Sequence, residues 1–231
     1  MKIMTFNTQH CLNFVTREID FQVMADAILE CRPDIVGLNE MRDESDAVGY
    51  DAQVKILAEL TGMRYYYFAK ATESVGGPYG NGFLSRLPIV HAETVLIDDP
   101  NPKMYDGYYE TRCILKATLE GGITVLVTHM GLNPDEQHNA VLTLMAHATD
   151  TKCIAMGDFN MTPDNPTLLP LAQKMTDTAQ GFCSRQLSFP SDNPDRKIDY
   201  IFVSPDVQVL SAEIPAIVSS DHRPVLAEVL L

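Results

Sequence analysis

Short apolar runs that end on acids, amides or histidines recur along the chain, and this pattern constrains the fold most strongly. Cys153 to Met156 is an apolar run of strand length that stops at Gly157-Asp158-Phe159-Asn160. Similar junctions occur at Asn7, Asn39-Glu40, His129, Lys197-Ile198-Asp199 and Ser220-Asp221-His222. Gly-Asp and Asn also end strands simply by forming turns, but open sheets build binding sites where several strands end together. The recurrence therefore predicts a site at one sheet edge.

The order of apolar and turn segments predicts a mixed α/β fold. Helices are expected over 18–31, over 51–61 and from an Asn133 cap to about 149. Strands are expected over 34–38, 64–69, 83–85 and 89–97, with a hairpin at Glu120-Gly121-Gly122-Ile123. Few helices and many hairpin-joined strands favour a four-layer α-β-β-α sandwich, in which helices flank two mixed sheets. No linker divides residues 1–231, so one domain is expected.

The acidic composition bears on partners and location. Asp and Glu number 31 against 17 Lys and Arg, which gives a formal net charge of −14. Proteins that grip long nucleic acid gain affinity by neutralising phosphates, so this charge disfavours such a partner, although a local basic groove is compatible with it. No apolar stretch approaches the roughly 18 residues of a membrane span. Met1 to Phe6 lacks a signal-peptide pattern, so a cytoplasmic protein is expected. The sequence does not indicate the oligomeric state.

Five cysteines lie mostly inside apolar runs. They are Cys11, Cys31, Cys113, Cys153 and Cys183. Their number is odd and no Cys-x-x-Cys spacing occurs, so they are expected to be reduced core residues.

Eight polar residues at the junctions form a candidate catalytic set: Asn7, Glu40, His129, Asp158, Asn160, Asp199, Asp221 and His222. Four carboxylates around an anionic phosphoester require a cation between them. Mg²⁺ fits because it takes hard oxygen ligands and typically one or two protein carboxylates, and Mn²⁺ is a possible substitute. The set contains no cysteine and only two histidines, which speaks against a zinc site.

The order of these motifs resembles the endonuclease/exonuclease/phosphatase superfamily over nearly the whole chain. The matching stretches are Thr5-Phe6-Asn7, Asp34 to Glu40, Asn81 to Arg86, Thr128-His129, Gly157-Asp158-Phe159-Asn160 with Lys197-Ile198-Asp199-Tyr200, and Ser220-Asp221-His222. The resemblance implies a DNase-like sandwich that hydrolyses a phosphoester with magnesium, by in-line attack of an activated water. It says almost nothing about the substrate.

The resemblance also implies a metal site. Glu40 would be the main ligand, with Asn7 beside it and Asp221 nearby, directly or through water. Gln9 stands where some nuclease relatives carry a second acid, so the number of metal ions stays open.

The remaining residues of the set would carry the chemistry. His222, oriented by Asp199, would activate the attacking water, whereas Asp158 and Asn160 would position that water and contact the phosphoryl oxygens. His129 would hydrogen-bond the phosphate or protonate the leaving oxygen. Whether Asp158 or His222 removes the proton stays open.

Two further residues, Arg112 and Asn81, are predicted to bind substrate. Arg112 either contacts phosphate or pairs with a neighbouring acid, because arginine suits both tasks. Glu110 is expected at the surface or behind the site. The segment Gly76 to Gly80 lacks the lysine of a P-loop and is expected to be a loop at the pocket rim.

The favoured function is a phosphodiesterase or phosphatase that acts on a small or lipid-like substrate. A DNA or RNA nuclease of the same family is the alternative, although the chain has no Trp and no evident basic loop. A noncatalytic binding module is a third reading, since a fold alone does not establish activity. Such a module would not need Glu40, Asp199, Asp221 and His222, which are all in place.

Overall fold

The computed structural model describes residues 1–46, 50–182 and 186–231, and within these ranges the strands fall into two sheets of six. The strands are β1 Lys2–Asn7, β2 Ile35–Arg42, β3 Tyr65–Ser74, β4 Gly77–Ser85, β5 Ile89–Leu96, β6 Cys113–Leu119, β7 Ile123–His129, β8 Cys153–Asp158, β9 Thr176–Asp177, β10 Asp199–Val203, β11 Gln208–Glu213 and β12 Val225–Leu230. The helices are α1 Phe21–Cys31, α2 Gln53–Thr61, α3 Pro134–His147 and α4 Leu169–Lys174.

Each sheet has one parallel pair near its centre. The first sheet runs β11-β12-β1-β2-β4-β3 and the second runs β5-β6-β7-β8-β10-β9. Among the described strands only β1–β2 and β7–β8 are parallel. Parallel neighbours end at the same sheet edge, so Asn7 is level with Asn39 and His129 is level with Asp158. The topology itself therefore gathers polar strand ends.

Three buried apolar layers hold the sheets and helices together. Ile35 and Phe83 meet Val127 and Met156 between the two sheets. A second layer lies between the first sheet and helices α1 and α2, and a third lies between the second sheet and helices α3 and α4. The predicted four-layer sandwich with two mixed sheets is confirmed.

Helix ends follow local capping chemistry. α1 begins at Phe21 rather than 18, because Asp20 Oδ1 accepts a hydrogen bond from the Val23 amide at 3.1 Å. α3 begins after the predicted Asn133 cap, where Asn133 and Glu136 form a capping box. The sequence did not predict α4, β9 or β11. No helix in the described ranges is long and apolar enough to cross a bilayer.

Residues 77–80 of the glycine-rich segment form the start of strand β4, so the expectation of a rim loop over Gly76 to Gly80 was wrong for all but Gly76, which lies in the turn before the strand. β4 pairs with β2 on one side and with β3 on the other. A Cβ atom at Gly80 would lie 2.0 Å from the carbonyl oxygen of Ala69 on β3. Glycine therefore permits a close strand approach here.

The described cysteines are free and buried, as expected. Cys11, Cys31, Cys113 and Cys153 form no disulfide. Burial raises the pKa of the Cys11 thiol and of the Cys113 thiol to about 12 in each case. Cys183 lies outside the described residues.

Gly157→Ala should lower the free energy of unfolding by about 3 kcal/mol or more. Gly157 has φ +143°, and an added Cβ would lie 1.8 Å from the carbonyl oxygen of Thr128 on β7. Gly121→Ala is the matched control, since Gly121 has φ +88° but open space around the added atom. The control should cost only about 1–2 kcal/mol of backbone strain. Urea unfolding of both variants measures the difference, and equal losses would contradict the steric argument.

Candidate active site

An open pocket of about 400 Å³ lies where the central strands of both sheets end. It is lined by Glu40, Tyr79, Tyr108, Glu110, Arg112, His129, Leu132, Asp158, Asn160, Phe189, Arg196, Ile198, Asp221 and His222. Seven of these had been assigned from the sequence as site residues: Glu40, Arg112, His129, Asp158, Asn160, Asp221 and His222. The strand-end pattern thus leads to one pocket.

Strand register sets His129, Asp158 and Asp199 side by side. Asp158 on β8 is level with His129 on β7 and with Asp199 on β10. His222 reaches this row from the segment before β12, and its Nδ1 lies 2.8 Å from Asp199 Oδ2. Its Nε2 lies 3.7 Å from Asp158 Oδ2. The imidazole of His222 therefore stands between two carboxylates.

The two acids control the charge of His222. Burial alone would lower its pKa, but the carboxylates of Asp199 and Asp158 outweigh burial and raise the pKa to about 10. Ser188 Oγ also donates to Asp199 Oδ2 at 2.6 Å. Asp199 is thus buried, hydrogen-bonded and aimed at the ring, which is how a carboxylate fixes a histidine in one orientation.

Asp158 is a buried carboxylate, and both of its oxygens accept hydrogen bonds. Its Oδ2 accepts a hydrogen bond from Asn7 Nδ2 at 3.0 Å, and its Oδ1 accepts one from the Asn160 amide at 2.9 Å. Burial, and then the charge of Asp199, raise the pKa of Asp158 to about 7 against the opposing effect of His222. Asn160 has φ +51° and donates from Nδ2 to the Met130 carbonyl at 3.0 Å.

Glu40 enters the pocket from a bulge in β2. The pairing of β2 with β4 shifts register between Leu38 and Met41, and Glu40 has φ +61°. Its side chain remains 24% exposed, and its Oε1 accepts from Asn7 Nδ2 at 3.1 Å. Burial first, and then Asp221, raise the pKa of Glu40 against the effect of the Asn7 hydrogen bond. Asn7 turns its nitrogen to both acids, while its Oδ1 accepts from the Gln9 amide.

The donors around the pocket suit a hard cation. Glu40, Asp158 and Asp221 offer carboxylate oxygens. A bound cation would offset the cost of burying the charged Glu40 carboxylate and its repulsion by Asp221, the two effects that raise the pKa of Glu40. Asp158, Asp199 and His222 also place ligand atoms within 4.8 Å of one another, so they could hold a metal. His222 Nδ1 is already engaged by Asp199, however, which leaves the side of the pocket around Glu40 better suited.

Arg112 pairs with a neighbouring acid, which is one of the two roles that the sequence left open, whereas its contact with phosphate stays a prediction. Its Nη1 lies 2.8 Å from Glu110 Oε2 and 2.9 Å from His129 Nδ1, and the residue also lines the pocket. Glu110 is accordingly a partner of Arg112 within the site, because its side chain is only 13% exposed. Burial lowers the pKa of His129 well below its usual value, and the charges of Arg112 and His222 act in the same direction.

Asn81 does not line the pocket, which speaks against the predicted contact with substrate. It is 2% exposed, and its Nδ2 donates to the Cys113 carbonyl at 2.9 Å. Its Oδ1 accepts from Asn39 Nδ2 at 2.8 Å. Both ends of the amide are therefore engaged in joining β4 and β2 to β6.

Asn39 is a positioning residue that the sequence reading did not assign. Its Nδ2 also donates to the Thr128 carbonyl at 2.9 Å, and its Oδ1 accepts from the Asp158 amide at 3.0 Å. One buried side chain thus connects the first sheet to β7 and β8. The alternation of side chains along β2 could have identified Asn39. Ile35 and Gly37 face the second sheet, and Asn39, two residues further on, faces the same way.

Comparison with known proteins agrees with this architecture. A model of the Endonuclease/Exonuclease/phosphatase family matches residues 4–222. A comparison with curated proteins finds no match.

Solved structures share the fold at low sequence identity. An endonuclease/exonuclease/phosphatase from Beutenbergia cavernae is 23% identical with a TM-score of 0.78, over 100% of this chain and 71% of that one. A mannosyl-6-phosphatase from Bacteroides thetaiotaomicron is 16% identical with a TM-score of 0.76, over 100% of both chains. The catalytic domain of human Nocturnin, with bound sulfate, is 18% identical with a TM-score of 0.71, over 100% of this chain and 93% of that one.

Asn39→Ala should lower the free energy of unfolding by about 3–5 kcal/mol, because it leaves buried polar partners on three strands unsatisfied. Asn139→Ala is the matched control, since Asn139 donates only one exposed hydrogen bond, to the Asp98 carbonyl. The control should change stability by about 0.5 kcal/mol or less. Chemical denaturation measures both free energies of unfolding. If Asn39→Ala loses no more stability than the control, the sheets are held together by other contacts.

Proposed function

The chain belongs to the endonuclease/exonuclease/phosphatase family, and from that premise we propose that it is a magnesium-dependent hydrolase of a small or lipid-like phosphoester. One observation carries the proposal. The array Asp199–His222–Asp158 opens into the same pocket as the Glu40 carboxylate. A paired acid and histidine beside a cluster of oxygen donors is an arrangement that can activate water next to a phosphoryl group.

The magnesium ion would be held by Glu40 and Asp221. Asn7, the third ligand that the resemblance implied, would instead orient Glu40, because its Nδ2 donates to Glu40 Oε1 and its Oδ1 accepts from the Gln9 amide. Mn²⁺ is expected to substitute, because it accepts the same oxygen donors. When bound, the ion would supply positive charge that stabilises the phosphoryl oxygens during displacement. The fit rests on the chemistry of the donors and on the unfavourable proximity of Glu40 to Asp221.

Asp158 and His222 would activate the attacking water together. Asp158 offers a carboxylate at the pocket floor, and Asn160, whose backbone amide binds Asp158 Oδ1, would help to place the water. Asp199 keeps the His222 ring oriented. We assign proton removal to Asp158 and His222 as a pair, because His222 Nε2 lies only 3.7 Å from Asp158 Oδ2.

The phosphoryl group would be bound opposite this pair. His129 and Arg112 both line the pocket and carry hydrogen-bond donors. Donors aimed at developing negative charge stabilise the transition state of phosphoryl transfer.

A small substrate suits the pocket better than long nucleic acid. The pocket of about 400 Å³ combines the polar floor with apolar walls from Tyr108, Leu132 and Phe189. The net charge of −14 opposes a long polyanion. The fold that the chain shares with a mannosyl-6-phosphatase also supports a small phosphoester as the substrate.

Glu40→Gln and His222→Asn should each reduce kcat on bis(p-nitrophenyl) phosphate with Mg²⁺ on the order of 10³-fold. The first change removes a ligand charge and the second removes half of the water-activating pair. Glu213→Gln is the control, because Glu213 forms only an exposed pair with Lys2 at 3.3 Å. Full activity of either site variant, with an unchanged circular dichroism spectrum, would refute the proposal.

Isothermal titration with Mg²⁺ separates an enzyme from a noncatalytic binding module. Wild type and His222→Asn should bind the ion, whereas Glu40→Gln should bind it at least about tenfold more weakly, because one carboxylate ligand is lost. Mn²⁺ should compete for the same site. If the folded wild type does not bind Mg²⁺ at the concentrations used in the activity assay, the noncatalytic binding module is favoured.

A further inference from the structure

A row of polar side chains runs from the pocket rim to His129. Tyr108 donates from its hydroxyl to Glu110 Oε1 at 3.1 Å. Glu110 Oε2 pairs with Arg112 Nη1 at 2.8 Å, and the same Nη1 lies 2.9 Å from His129 Nδ1. The other ring nitrogen, Nε2, faces Asp158 Oδ2 at 3.6 Å. His129 therefore has a cation on one ring nitrogen and an anion on the other.

The chemistry of arginine decides which nitrogen carries the proton. A guanidinium has five N–H donors and no acceptor, and it stays charged in proteins. A hydrogen bond between Arg112 and His129 thus requires a lone pair on Nδ1. The single proton of the neutral ring must then sit on Nε2, on the side of Asp158.

We propose that Arg112, held in place by Glu110, is a positioning residue that fixes His129 as the neutral imidazole with its proton on Nε2. Glu110 and Arg112 are 13% and 11% exposed, and the His129 side chain is 7% exposed. Long side chains buried to this degree, with both hydrogens of Nη1 assigned to fixed acceptors, keep one geometry.

The charged groups that face His129 favour the same state. Arg112 precedes β6 and His222 precedes β12, and both charges oppose a second proton on the ring. Asp158 on β8 is the acid that faces the ring. Burial lowers the pKa of His129, and the charges of Arg112 and His222 act in the same direction, so the pKa is held well below its usual value. His129 accordingly remains a neutral donor where a free histidine would become charged.

The consequence for catalysis rests on the proposed phosphoester hydrolysis. A neutral ring with a proton on Nε2 donates a hydrogen bond into the pocket and does not carry the extra proton of an imidazolium. Of the two roles open to His129, the geometry therefore assigns it the hydrogen bond to a phosphoryl oxygen. Arg112 supports this role by fixing the His129 donor, in addition to the donors that Arg112 itself offers to the pocket.

The first test reads the tautomer directly in the wild-type protein. Long-range ¹H–¹⁵N correlation of histidine-labelled protein distinguishes Nδ1–H, Nε2–H and the doubly protonated ring, and a His129→Gln variant assigns the signals. His129 should show Nε2–H throughout about pH 5–8, the range in which unperturbed histidine titrates. An Nδ1–H tautomer, or conversion to the doubly protonated ring within that range, would overturn the proposal.

The second test removes the guanidinium. Arg112→Met should allow an Nδ1–H population and move the His129 titration up into the observed range. Because Arg112→Met leaves Glu110 buried and unpaired, the double change Glu110→Gln with Arg112→Met is made in parallel, and it should shift the tautomer in the same way. An unchanged tautomer in the folded double variant would refute the role of Arg112.

The matched control is Glu93→Gln, which removes an acid from the Lys116–Glu93 pair on strands β5 and β6, 3.1 Å apart. It should leave the His129 signals as in the wild type. Kinetics then separate this inference from the proposed function. An Nε2–H wild type that hydrolyses aryl phosphodiesters and loses about 10²-fold in kcat with Arg112→Met supports both. An Nε2–H wild type without phosphoesterase activity supports the positioning role and refutes the proposed function.

Discussion

The site depends on two amides of the first sheet that reach across the interior and hold one acid of the second. Asn39 accepts from the backbone amide of Asp158, and Asn7 donates to its carboxylate. Asn7 and Asn39 are level on parallel strands, so they approach Asp158 together. Buried hydrogen bonds have strict directions and distances, whereas apolar packing tolerates small slides. The amides therefore turn a general contact between two sheets into one fixed alignment of the polar strand ends.

This alignment concentrates charge in a small buried space. Asp158 and Asp199 lie on either side of His222, and Glu40 lies near Asp221. In water these acids would repel weakly, but burial strengthens every interaction among them. The fold tolerates the repulsion because each buried acid has at least one fixed donor: Asn7 serves Glu40 and Asp158, and Ser188 serves Asp199. The hydrogen bonds that satisfy the buried acids are thus the same bonds that set the geometry of the site.

The sequence predicted those parts of the fold and site that local patterns encode. A polar residue at the end of an apolar strand is visible in sequence, so six of the residues that line the pocket could be named from this pattern: Glu40, His129, Asp158, Asn160, Asp221 and His222. Asn39 and Asn81 were harder, because their role lies in partners on the facing sheet, more than 30 residues away along the chain. The strand was expected over 83–85, but the glycine-rich start of β4 was missed, because glycines that admit a close neighbour look the same in sequence as glycines that form a loop. The pocket walls are set by nonlocal anchors as well: Asn133, at the start of α3, donates to the Tyr108 carbonyl.

The pairing of β1 with β12 gives the chain a late step in its assembly. β1 lies at the centre of the first sheet, yet its antiparallel partner is the last strand along the sequence. During synthesis β1 can pair with β2 early, while its other edge waits for residues 225–230. His222 arrives with that same segment. Such distant pairing is slow to form and leaves an open strand edge in the meantime. A nascent chain can therefore complete much of its sandwich before the pocket acquires His222 and becomes complete.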